Sequence, residues 1–162
     1  MKTGVLQEHI QLVEQLKKIP ALQLFGSLDL QRLRNFSEIR RYEPEESIIV
    51  QGSVDTWVYF LVSGTVSVIK DGEVIDVLRR TGDIFGEMCI IDGEVRSASI
   101  VAKTPAVCLA TDVSFSDTLG ADDKTAFCAV FYRIIAEVLA KRLRETSAEL
   151  VQAKKEIESR KK

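Results

Sequence analysis

The sequence predicts an α+β domain. Its centre is an antiparallel β-roll of the jelly-roll kind (a double-stranded β-helix), flanked by N-terminal helices and by one long C-terminal helix. Three observations predict it. Residues 4–36 and 122–160 carry apolar residues at helical spacing. Residues 37–111 break into short runs rich in β-branched and aromatic residues, with turn signals between them. The last helical stretch would run about 58 Å at 1.5 Å per residue, longer than a domain of this size is wide.

Taken in order, the first helix is expected to end at Lys18, with Leu6, Ile10, Val13 and Leu16 on one face. Pro20 breaks it, and "LDLQRLRNF" resumes the helical period. The strand candidates are "SIIVQ", "WVYFLV", "TVSVIK", "EVIDVL", "SASIVA" and "PAVCLAT". Gly52-Ser53, Ser63-Gly64, Asp71-Gly72 and Gly82-Asp83 mark turns, and Asp71-Gly72 between two strands is a strong hairpin signal. Many short strands at this spacing indicate an antiparallel barrel or roll. The C-terminal helix starts on acids (Asp122, Asp123) and ends on bases (Arg160, Lys161, Lys162), which suits its dipole. Its first half, with Phe127, Val130, Phe131, Ile134 and Ile135, can pack on the roll. Its second half carries a narrow seam, Leu139, Leu143, Thr146, Leu150, Ala153 and Ile157, in the alternating four-three spacing of a coiled coil. The expected organisation is therefore helices plus roll over 1–121, and a packing and dimerising helix over 122–162.

Composition narrows the function. The chain of 162 residues is 46% hydrophobic and 28% charged, which suits a soluble globular domain. A net charge of -2 gives no basic footprint for direct nucleic-acid binding. No apolar run reaches the length of a membrane span, and the N-terminal stretch lacks the apolar block of a signal peptide, so a cytoplasmic protein is expected. The single histidine, His9, cannot supply a metal centre of two or three histidines, and no metal is expected. Cys89, Cys108 and Cys128 sit among apolar neighbours and read as small buried hydrophobes.

Charge placement singles out "FGEMCIIDGEVRSAS", residues 85–99. Glu87 and Arg96 bracket an apolar run, and charged groups are seldom buried unless paired or bound. Gly86 permits a close backbone approach or an unusual φ. Glu87 to Ile91 can form one helical turn with free N–H groups. Arg96 offers a planar fork of donors suited to phosphate oxygens, Ser97 adds a hydroxyl and Ala98 an amide N–H. Glu87 can accept from hydroxyls, as on a ribose. An anion with a sugar beside it is a nucleotide. The chemistry leaves two readings open, a nucleotide site and a buried Glu87–Arg96 ion pair that serves only the fold.

The order of elements and this motif resemble the cyclic-nucleotide-binding domain family, which includes the bacterial catabolite activator and protein kinase A regulatory subunits. The family's phosphate-binding cassette reads Phe-Gly-Glu, a few small or apolar residues, a spacer, then Arg and small residues. Here it is Phe85-Gly86-Glu87-Met88-Cys89-Ile90-Ile91-Asp92-Gly93-Glu94-Val95-Arg96-Ser97-Ala98. The likeness extends to "FGSLDLQRLRNF", "YEPEESIIVQG" and "YFLVSGTVSV" and covers about residues 18–150. Met88-Cys89-Ile90 departs from the commoner Leu-Ala-Leu, and Val95 stands where proline is frequent. The resemblance implies a ribose contact for Glu87, a cyclic-phosphate contact for Arg96, and supporting contacts from Gly86, Met88, Cys89, Ser97 and Ala98. "KRLRETSAEL" is similar to the family's adenine-reading stretch, which implies base contacts for Thr146 and Ser147.

The function expected is a sensor that binds a cyclic nucleotide, cAMP in preference to cGMP, and passes the signal through its C-terminal helix to a second copy or an effector protein. No catalytic residue is expected, because the motif offers neither a nucleophile nor an activated water. Direct nucleic-acid and membrane partners are not expected. The alternatives are a structural dimerisation domain with a degenerate site, and a regulator acting through a partner transcription factor.

Overall fold

The computed structural model describes residues 19–160. The expected first helix, with His9, lies outside them. A 3₁₀ turn at Pro20–Leu24 has proline in its first turn, where a missing N–H does no harm, and leads into α1 (Ser27–Asn35). Eight strands follow: β1 (Ser37–Tyr42), β2 (Ser47–Ile49), β3 (Trp57–Ser63), β4 (Val66–Lys70), β5 (Glu73–Leu78), β6 (Ile84–Phe85), β7 (Ser99–Ala102) and β8 (Ala106–Asp112). One helical turn, α2 (Met88–Asp92), interrupts them between β6 and β7. After a second 3₁₀ turn at Val113–Thr118, α3 (Ala121–Arg160) closes the described chain. Its 40 residues span about 60 Å.

The strands form two four-stranded antiparallel sheets, ordered β1-β8-β3-β6 and β2-β7-β4-β5. This is the expected roll. β1, "SEIRRY", was absent from the strand candidates because its charges hide the alternation, yet it pairs with β8 along its whole length. The Asp71-Gly72 signal is a β4–β5 hairpin turn, with φ of 53° and 86°. Both values are positive, as a type I′ turn requires.

β3 shows why its run is continuously apolar. Val58, Phe60 and Val62 face the helices, while Tyr59 and Leu61 face the roll interior. Both faces are buried, so no polar residue alternates. Fully burying each such side chain contributes about 1.5–3 kcal/mol, and Phe60→Ala would remove about 3–5 kcal/mol. The helices gather on the outer face of the β1-β8-β3-β6 sheet. Phe127 of α3 stacks on Phe25 at 5.3 Å, meets Phe115 edge-on at 4.9 Å, and lies 5.7 Å from Phe131. Arg32 of α1 donates to Asp123 at the start of α3 (2.5 Å), pinning that end. Packing holds α3 as far as Leu139, and beyond it the helix carries exposed apolar residues. Of the three cysteines, Cys108 is fully buried, with its thiol pushed up to about 12 by that burial. Cys89 and Cys128 are half-buried, less than their neighbours imply.

Candidate functional site

β6 ends at Phe85, and Gly86 turns the chain with φ of 78°. A Cβ there would lie 2.7 Å from Arg96 Nη1, 3.0 Å from Ile49 Cδ1 and 3.1 Å from the Trp57 carbonyl. Both expected roles of this glycine hold: the backbone is left-handed and a guanidinium rests against it. Glu87 is the N-cap residue of α2, and the predicted single turn follows it.

Glu87 and Arg96 are both buried, at 2% and 3% exposure. They are not each other's partner. Glu87 Oε1 accepts from Arg142 Nη1 of α3 at 2.7 Å. Arg142 Nη2 donates to the Ile84 carbonyl, so one guanidinium clasps β6 and the cassette together. Burial pushes the Glu87 carboxyl above the usual carboxylate range, with the Arg142 guanidinium opposing it. Arg96 Nε donates to Asp55 Oδ2 at 3.1 Å, and its Nη2 to Asp55 Oδ1. Nη2 also donates to the Trp57 carbonyl at 2.6 Å, and Nη1 to the Gly86 carbonyl. Four of the five guanidinium N–H groups are thus engaged, which leaves one on Nη1. The backbone is fixed as well: Arg96 N–H donates to Ser53, and Gly52 N–H to Arg96, each at 2.8 Å.

The structure therefore brings Gly86, Glu87, Met88, Cys89 and Arg96 into one cassette. The Ser97 hydroxyl reaches the Met88 sulfur at 3.6 Å, and the Cys89 thiol lies 3.6 Å from the Asp55 and Gly86 carbonyls. Ala98 is half-buried at the edge of β7. Thr146 and Ser147 are exposed on α3, and Thr146 is one turn beyond Arg142 on the same face.

Sequence reasoning missed Asp55 and Arg142. Arg142 stands among other charged residues of α3, so its charge alone does not single it out. Its spacing from Ile135 and Leu139, seven and three residues back, continues the buried stripe of α3 and was the available signal. Asp55 lies in a loop with no periodicity, and only the demand of a buried Arg96 for a counter-charge points to it.

This architecture is a roll whose cassette holds a buried guanidinium and a buried carboxylate, with a helix lying on that carboxylate. A family model described as the cyclic nucleotide-binding domain matches residues 39–119. The chain belongs to that family. It is 33% identical over 91 residues to the cAMP-dependent protein kinase regulatory subunit of Yarrowia lipolytica, covering 55% of this chain and 24% of that protein. It spans less than a quarter of the kinase regulatory subunits it matches. Among solved structures, a cyclic nucleotide-binding domain from Methylobacillus flagellatus shares the fold, with a TM-score of 0.72, 22% identity, and 90% and 83% of the two chains covered. The regulatory domain of Toxoplasma gondii PKA with cAMP matches with a TM-score of 0.66 at 16% identity, over 90% and 53% of the chains.

Proposed function

We propose that this chain is a cyclic-nucleotide sensor of the cytoplasm, that cAMP is its preferred ligand over cGMP, and that the long helix carries the signal to an effector protein. Arg96 receives the cyclic phosphate through its remaining N–H, and Glu87 receives the ribose 2′-hydroxyl. Gly86, Met88, Cys89, Ser97 and Ala98 shape the seat. Thr146 and Ser147 contribute to base selection from α3. The observation that carries this reading is the Arg142–Glu87 contact of 2.7 Å. A carboxylate that accepts a ligand hydroxyl is the same carboxylate that anchors the helix. Ligand binding and helix anchoring then draw on one group, and a difference in affinity between two helix positions becomes a shift between them.

The exposed seam supports a homodimer. Leu143 and Leu150 are 68% and 55% exposed, and their spacing suits a second copy of the same helix. The engagement of Arg96 by Asp55 favours a second reading, a structural dimerisation module in which the pair serves the fold. Calorimetric titration of the chain with cAMP and cGMP separates the two. Saturable heat with one site per chain supports the sensor, and no heat at millimolar ligand supports the structural module.

A further inference from the structure

We propose that Asp76 reads the base, its carboxylate accepting a hydrogen bond from the amine at position 6 of adenine. This rests on the cyclic-nucleotide reading above and names a residue of base choice within it.

The pairing of the second sheet places Asp76. Val66 is opposite Ala102 on one side and Leu78 on the other, and all three are buried. Two residues along each strand, Val68 is opposite Ile100 and Asp76. Side chains two apart on a strand share a face, so Ile100, Val68 and Asp76 form the next row of the core-facing side. Ile49 of β2 pairs with Ile100 and extends the row. The row therefore starts where Ile49 and the Arg96 guanidinium both rest against Gly86. It crosses three strand spacings, about 14 Å, and ends on Asp76. Along it, Ile49 and Ile100 are buried, Val68 is half-buried and Asp76 is exposed. Starting at the phosphate end, it offers an apolar floor for a flat ring and then one acceptor.

Asp76 is out of keeping with its strand. Aspartate is depleted in strands, and this one stands on the side where Leu78 is core. Among the described residues no cation pairs with it. Its carboxylate accepts one hydrogen bond among the described residues, from the Val77 N–H at 2.7 Å, which leaves most of its acceptor sites open. The hairpin that carries it is hitched to the cassette. Gln51 Nε2 donates to Asp71 Oδ1 at 2.8 Å, and Asp71 N–H to Gln51 Oε1 at 3.0 Å, while the next residue, Gly52, donates to the Arg96 carbonyl. Acceptor and phosphate seat are thus held in a fixed relation. A carboxylate accepts from an amine and repels a carbonyl oxygen at the same ring position, so adenine is favoured over hypoxanthine.

An inward charge on an edge strand can also serve only to block pairing of that edge with another chain. The experiment separates the two roles. cAMP and cIMP, which differ in amine against carbonyl at position 6, are titrated into the full chain and into Asp76→Val and Asp76→Asn, with light scattering recorded on each. The parent is expected to bind cAMP at least tenfold more tightly than cIMP. In Asp76→Val that ratio should fall to about threefold or less. It should also narrow in Asp76→Asn, because an amide can turn to donate to the carbonyl. If Asp76→Val aggregates, Asp76→Asn alone decides. A ratio unchanged in the soluble variants, or no preference in the parent, overturns the assignment and leaves Asp76 an edge guard. A parent that binds neither nucleotide overturns the sensor reading itself.

Discussion

Arg142→Ala tests the contact between helix and cassette. The substitution removes the guanidinium that Glu87 and the Ile84 carbonyl both use. Breaking a buried ion pair by deleting one partner costs about 3–5 kcal/mol. Arg142 is 28% exposed, so water can replace part of what is lost, and the expected cost is about 2–3 kcal/mol near pH 7. The cost should depend on pH. Burial raises the folded pKa of Glu87 above its unfolded value. A group raised in this way contributes stability that is fully present below its unfolded pKa and is lost as pH rises through the folded one. Removing Arg142 takes away the cation that opposes the rise, so the folded pKa climbs further and the loss at neutral pH deepens. In acid, where Glu87 is protonated, the ion pair is absent in parent and variant alike. Urea unfolding of parent, Arg142→Ala, Glu87→Gln and the double variant at pH 7 and near pH 4 isolates the coupling. A coupling energy above about 1.5 kcal/mol at pH 7 that shrinks in acid is expected. A coupling near zero at pH 7, or one insensitive to pH, would refute the reasoning.

Other outcomes follow from the same geometry. Arg96→Leu is expected to lower cyclic-nucleotide affinity about a hundredfold, read by calorimetry, through lost charge-assisted bonds of about 1.5–3 kcal/mol each. In that variant the Gly86 and Trp57 carbonyls lose their donor, and ligand-free unfolding should show a loss of about 2–4 kcal/mol. Gly86→Ala should cost at least about 1–2 kcal/mol from the left-handed backbone alone, and it should weaken binding because the new methyl meets Arg96 Nη1; equal affinity in the variant would contradict this. Leu143→Glu with Leu150→Glu should sediment as monomers with little change in unfolding, since both side chains are exposed, and a variant sedimenting like a dimeric parent would end the seam proposal. Thr146→Ala with Ser147→Ala should narrow the cAMP-to-cGMP ratio, measured by paired titrations, and an unchanged ratio would place base choice elsewhere.

What could be read from the sequence was local. The Asp71-Gly72 turn, the run of β3 and the cassette from Phe85 to Ala98 each carry their signal within a few residues. The start of α3 and its great length were legible because a long helix repeats its pattern, here over about eleven turns. The partners of the two buried charges were not legible, since they come from afar: Asp55 is 41 residues from Arg96, and Arg142 is 55 from Glu87. The sequence placed both charges at one site and offered them to each other, because opposite charges flanking one turn are the simplest pair. The fold instead gives each a private counter-charge, and the one chosen for Glu87 comes from the long helix. β1 was obscured for a related reason. Arg40 of β1 lies 4.0 Å over the Trp57 ring and donates to the Tyr59 hydroxyl, so a charged residue does the packing of an apolar one.

The most direct measurement is a calorimetric titration of nucleotide-free protein with cAMP and, in parallel, with 2′-deoxy-cAMP, monitored also by the fluorescence of Trp57, the single tryptophan. Trp57 gives its carbonyl to Arg96, so a phosphate arriving at that guanidinium should alter its emission. Saturable cAMP binding at one site per chain is expected, with affinity at least tenfold lower for the 2′-deoxy ligand, because the charge-assisted bond from the ribose hydroxyl to Glu87 is then missing. Equal affinity for the two ligands would contradict the role of Glu87, and the absence of any saturable heat or fluorescence change with cAMP would contradict the sensor itself.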